Sequence, residues 1–127
     1  MGLGSHAALR AHHADLAVGA SSDDDGSADA GAVLILMMAV DRTVGGVQKL
    51  SMLHGDLSSF CTLEAHDYFG NSVAPAGDLN GDGVPDIAVG AVKADGVYGE
   101  GLRILFMKAS GTVGGAVQIS TSHGGLA

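Results

Sequence analysis

Nine residues constrain this chain more than any others: Asp78-Leu79-Asn80-Gly81-Asp82-Gly83-Val84-Pro85-Asp86. Side-chain oxygens fall at loop positions one, three, five and nine, from Asp78, Asn80, Asp82 and Asp86. The backbone carbonyl of Val84 stands at position seven, and Gly83 at position six permits a sharp reversal. Alternate residues point inward in such a loop, so these groups can wrap a hard cation. Three carboxylates and an all-oxygen donor set suit calcium, which accepts irregular coordination, better than magnesium. Zinc is disfavoured because the loop holds no Cys or His.

The residues after the loop decide its type. A helix–loop–helix calcium site needs a bidentate Glu at position twelve and then a helix. Position twelve is Val89, and Pro85 is followed by Ile87-Ala88-Val89-Gly90-Ala91, a β-branched run. The sequence therefore predicts a calcium loop closing a β-hairpin. The plainer alternative is a polar turn, since Asn-Gly and Asp-Gly are strong turn signals by themselves.

A formal charge of −8 argues against nucleic acid and anionic membranes as partners and agrees with cation binding. The 127 residues suffice for one ordinary domain, and a hydrophobic share of 46% provides a core. The 21 glycines show no collagen period and suit short strands joined by tight turns. Cys61 is the single cysteine, which excludes an internal disulfide and points to an inert thiol. No signal peptide is visible at the start, and the longest apolar run, 31–40, is too short to cross a bilayer.

The chain repeats itself. Asp15-Leu16-Ala17-Val18-Gly19-Ala20 returns as Asp86-Ile87-Ala88-Val89-Gly90-Ala91, an offset of 71 (86 − 15). Gly31 and the apolar run to Met37 match Gly101 through Met107. Thr43-Val44-Gly45-Gly46 returns as Thr112-Val113-Gly114-Gly115, and His54-Gly55-Asp56-Leu57 as His123-Gly124-Gly125-Leu126. Predicted strands cover 15–20, 32–38 and 47–51 in the first unit. In the second they cover 69–77, 86–91, 102–107 and 116–120. The near-continuous apolar runs suit strands covered on both faces, as in a sheet stacked between neighbouring sheets.

Other features have plainer readings. The acids Asp23, Asp24, Asp25 and Asp29 could hold a second cation, but a solvated acidic loop is the expected outcome. His54 and His123 recur with the repeat and are assigned to packing between units. His12-His13 stand where the first unit's metal loop would fall, and that loop is expected to be absent. Residues 52–66 form a connector without regular period.

The stretch Phe69-Gly70-Asn71-Ser72-Val73-Ala74, the metal loop, and Ile87-Ala88-Val89-Gly90-Ala91 together resemble an FG-GAP repeat. This is the unit of the integrin α-chain N-terminal β-propeller and of many bacterial surface and secreted proteins. Phe69-Gly70 is the Phe-Gly pair and Gly90-Ala91 the Gly-Ala pair, with Val92 at the usual proline. The first unit keeps Gly19-Ala20 but has no Phe-Gly. The resemblance implies an all-β fold of about two blades, each a four-stranded antiparallel sheet of a seven-bladed propeller. The chain would then be a fragment or one part of an oligomeric ring. It divides into a degenerate segment 1–14, an incomplete first blade 15–57, and a second blade 58–127 with the loop 78–86.

The resemblance also implies calcium on Asp78, Asn80, Asp82, Val84 (backbone) and Asp86, and an extracellular or cell-surface setting. The expected function is a calcium-stabilised scaffold for adhesion-type contact with a protein or glycan, its other partners being further blades. The alternative is an accessory propeller portion of a secreted hydrolase or lyase. Against an enzyme, the chain shows no nucleophile elbow, no His-Glu-x-x-His and no phosphate-cradling loop.

Overall fold

The computed structural model describes residues 15–91, 93–94, 97–98 and 101–119. They form strands β1 (Asp15–Ala20), β2 (Ala32–Met38), β3 (Val44–Leu50), β4 (Ser72–Gly77) and β5 (Asp86–Gly90). These are followed by β6 (Lys93–Ala94), β7 (Val97–Tyr98), β8 (Leu102–Met107) and β9 (Val113–Ile119). Among the described residues there is no α-helix, only one 3-10 turn at Leu57–Ser59. The expectations for 1–14, His12-His13 and His123 lie outside the described residues.

The fold is all-β, as expected. β1-β2-β3 make one antiparallel sheet, β4-β5-β8-β9 a second, and β6-β7 a small ribbon. The three-strand and four-strand counts of the two units agree with the sequence reading. Three strand starts differ, β9 beginning at Val113 instead of residue 116 because Val113 pairs with Met107 across a bulge. β3 begins at Val44 instead of residue 47, because Gly46 and Val44 pair with Met37 and Met38 across a bulge. β4 begins at Ser72 instead of residue 69, because Tyr68 and Gly70 have positive φ and Asn71 N–H closes a turn on the Tyr68 carbonyl.

The repeat is visible in the register, and it corrects one alignment. Both sheets carry a bulge, at Met37/Met38 in the first and Phe106/Met107 in the second. Met107 therefore corresponds to Met38, not to Met37, an offset of 69 (107 − 38). The apolar runs alone could not reveal this, since adjacent methionines make either alignment look good. A one-residue slip in a strand exchanges its two faces.

The corrected alignment sorts the faces. Paired residues lie on the same side of a sheet, so Ala17, Val33, Ile35, Met37 and Leu50 share one face of the first sheet. Ile87, Val89, Arg103, Leu105, Met107 and Val113 share one face of the second. The apolar members of both sets join one core cluster, closed by Leu57, Leu63 and Phe69 from the connector. The connector is thus part of the core, although it has no period in sequence. The other face of each sheet is only partly covered, so the expectation of strands covered on both faces holds for one face alone.

Phe69-Gly70 joins the two units. Phe69 is fully buried, and its N–H donates to the Ala30 carbonyl of the first unit at 3.0 Å. Gly70 then passes so close to the Ala32 carbonyl that a Cβ would collide with it, and its φ of +95° favours glycine as well. Its N–H donates to the Gly90 carbonyl at 2.9 Å.

Candidate metal loop

β4 and β5 are antiparallel neighbours, and the nine-residue stretch makes their connection. Gly77, Gly81 and Gly83 all have positive φ, +72°, +76° and +85°. The reversal at Gly83 is therefore where the sequence puts it. All five predicted ligand residues lie in this one hairpin end.

The loop is closed by its own carboxylates. Asp78 accepts the N–H of Asp82 on Oδ1 at 3.1 Å and that of Gly83 on Oδ2 at 2.7 Å. Asp82 Oδ1 accepts the Val84 N–H at 2.9 Å. The Gly83 bond, and more weakly those from Asp82 and Gly81, hold the Asp78 carboxyl below its ordinary pKa. Asp86 is different, being fully buried. Its Oδ2 accepts the Leu79 N–H at 3.0 Å, and its Oδ1 accepts the Met107 N–H of β8 at 3.0 Å.

Among the described residues, no three acidic, His or Cys side chains converge on a common point. The hairpin brings the candidate ligands into one turn but aims the oxygens of Asp78, Asp82 and Asp86 at backbone N–H groups. The donor set still fits a hard cation. A carboxylate oxygen has a second lone pair after accepting one hydrogen bond. Asp78, Asn80 and Asp82 are also exposed, so no packed side chain opposes their rotation.

The acidic loop of the first unit has a different arrangement from the solvated one expected. Lys49 Nζ lies 2.6 Å from Asp23 and 3.0 Å from Asp25. Ser51 donates its hydroxyl to Asp25 at 2.7 Å, and His54 Nε2 stands 3.8 Å away. Asp24 accepts the Asp29 N–H, while Asp29 accepts the Tyr68 hydroxyl and lies 3.4 Å from His66. The cation held by Asp23 and Asp25 is therefore the Lys49 ammonium. His54 does not pack between units as expected, because its ring is more than half exposed beside Asp25. In the first unit Ser51 and His54 exchange backbone hydrogen bonds across a tight turn.

The sequence reading missed Arg103. It stands in an apolar run at the position Leu34 holds in the first unit, and that break in the repeat is the signal. Arg103 is buried, and its Nη2 donates to the Thr62 carbonyl at 3.4 Å. With Phe60, Cys61, Glu64, Asp67 and Gln118 it lines a cavity of about 350 Å³ between the connector and the second sheet. Burial pushes the Cys61 thiol pKa up, against the smaller opposing effect of Arg103. That agrees with an inert thiol. The Glu64 and Asp67 carboxyls line the same cavity as the Arg103 guanidinium and leave it with no single preferred ligand charge.

No described helix is long and apolar enough to cross a membrane. No match was found among curated proteins or among solved structures. A family model of the FG-GAP repeat matches residues 69–119. The match begins on the buried Phe69 and ends on the last residue of β9, so it spans the whole four-stranded sheet and its hairpin loop. The second of the two β units, residues 69–119, thus matches the FG-GAP repeat.

Proposed function

We propose that this chain is part of a calcium-stabilised propeller scaffold that presents its loops to a protein or glycan partner outside the cell. The observation that carries the reading is the 78–86 hairpin end. It gathers five oxygen donors on one turn, and one of them, Asp86, is anchored in the sheet by Met107. Asp86 would fix the base of the site, Asp78, Asn80 and Asp82 would close from the solvent side, and the Val84 carbonyl would complete it. A bound calcium ion supplies positive charge that offsets three carboxylates in one short loop. Its role is structural, and no residue is assigned to catalysis. A single loop of this charge belongs with extracellular modules, whose dissociation constants run to roughly 0.1–1 mM.

Isothermal titration with calcium tests the reading. One ion per chain is expected, with Asp82→Ala weakening binding at least tenfold. Equal binding by wild type and variant would overturn the site.

A further inference from the structure

The two outward faces of the molecule are related to its internal interface. By the register offsets, Leu16 and Val18 of the first sheet correspond to Ile87 and Val89 of the second (offset 71), and Val44 to Val113 (offset 69). Leu16 is 50% exposed and Ile87 6%; Val18 is 41% exposed and Val89 0%; Val44 is 50% exposed and Val113 0%. Leu34 and Leu36 extend the same outward patch on β2. The first unit thus displays, uncovered, the face that the second unit buries against it.

The converse holds at the other end. Val33, Ile35 and Met37 of β2 are buried by the second unit. Their counterparts in β8, at offset 69, are Leu102, Ile104 and Phe106, which face outward and are partly exposed. Val117, beside Ile104, is 44% exposed. This outer face exposes no charged side chain among the described residues, Asp86 at its edge being fully buried: β4, β5, β8 and β9 present Ser72, Ala74, Ala88, Gly90, Leu102, Ile104, Phe106, Val117 and Ile119 there. The opposing face has one cation, Lys49, already paired with Asp23 and Asp25.

We propose that copies of this chain associate head to tail: the outer face of the four-stranded sheet of one copy seats on the outer face of the β1-β2-β3 sheet of the next. A second copy is the occupant that supplies both faces in the register the molecule already uses internally. The contact is heterologous, so it leaves one face of each kind open after every addition and ends only by closing a ring. Exposed apolar faces of this kind drive association. The proposal rests on the scaffold reading only in that its units stack. Calcium plays no part, so the test is run with chelator.

Sedimentation velocity of the full chain and two surface variants decides the matter. Leu16→Lys blocks one face and Val117→Lys the other. Wild type should sediment as dimers and larger species, and each variant alone as a monomer. An equimolar mixture should form a one-to-one pair and stop there, since one intact face of each kind remains. Should a Lys variant lose its β-sheet circular dichroism, the milder pair Val18→Ser and Ile104→Ser carries the same test. A monomeric wild type, variants that associate as wild type does, or a mixture that stays monomeric would each overturn the proposal.

Discussion

The buried Asp86 carboxylate accepts the backbone N–H of Met107 at 3.0 Å, and Asp15 does the same for Met38 at 3.3 Å. In both units an Asp at the start of a strand caps the bulge of the neighbouring strand. The carboxylate at loop position nine therefore has a structural duty that does not depend on a metal ion. A chain can retain this Asp while losing the rest of a ligand set.

That duty separates two acids that look alike in sequence. Asp86→Ala removes two hydrogen bonds to a charged acceptor and leaves the buried Met107 N–H unpaired, a loss of about 2–5 kcal/mol by the usual range. Asp82→Ala, at an exposed position, should change stability in chelator by under about 1 kcal/mol. Urea denaturation with and without calcium makes the comparison. Equal losses for the two variants in chelator would contradict the division of roles.

Much of this fold is readable from residues because its determinants are local. The hairpin turn is written in Gly81 and Gly83, and strand identity in β-branched runs such as Ile87 to Val89. The pairing of Asp23 and Asp25 with Lys49 is not readable, since it depends on β3 returning beside a loop some two dozen residues earlier. The one-residue offset at Met37 and Met38 was hidden for another reason. A bulge changes which face a side chain takes without changing composition. The candidate ligands stand between these cases: their spacing is plain in sequence, while their oxygens are aimed by hydrogen bonds, local for Asp78 and Asp82 and across to β8 for Asp86.

Gly83 offers a test that removes no ligand. At φ +85° a β-branched residue is strongly disfavoured, although nothing lies within 4 Å of where its Cβ would be. Gly83→Val should therefore weaken calcium binding roughly tenfold through the backbone, at a conformational cost of about 1–2 kcal/mol. Gly83→Asn, which tolerates this conformation better, should recover most of the loss. Titration calorimetry on both variants reads it, and full affinity in the Val variant would mean the turn is not needed.

The acid limb of stability should come from Asp25, Asp78 and Asp41, the last lowered by the Thr43 hydroxyl. The Ser51 hydroxyl first, and then Lys49, lower the pKa of Asp25 below its ordinary 3.8; backbone N–H groups, led by Gly83, do so for Asp78. A depressed carboxyl contributes stability above its unfolded pKa and loses it as pH falls through the lower folded value. Lys49 is raised above 10.5 by Asp23 and then Asp25, so its contribution is present below 10.5 and is lost as pH rises past the folded value. Urea midpoints should therefore be flat between about pH 5 and 9 and fall at both ends. Ser51→Ala should shrink the acid-side fall more than Lys49→Met, and only the latter should change the alkaline side. An unchanged alkaline limb in Lys49→Met would contradict the ion-pair assignment.

The two units should also unfold together, and Phe69 is the place to show it. Its ring is fully buried in the single cluster that takes Val33 and Ile35 from one sheet and Val89 and Leu105 from the other. Its N–H and that of Tyr68 bond to carbonyls of the first unit, at Ala30 and Asp29, while the next residue bonds to Gly90 of the second. Truncating it leaves a cavity that neither sheet can fill alone, and Phe→Ala changes in cores typically cost about 3–5 kcal/mol. If the core is shared, Phe69→Ala lowers protection equally for amides of β2 and of β8 in hydrogen exchange. If each sheet were stable by itself, protection would fall only in the second unit, which contains Phe69. Exchange measured by mass spectrometry on the monomeric Leu16→Lys background keeps association out of the comparison. A β2 protection factor unaffected by Phe69→Ala would show that the two sheets touch without depending on each other.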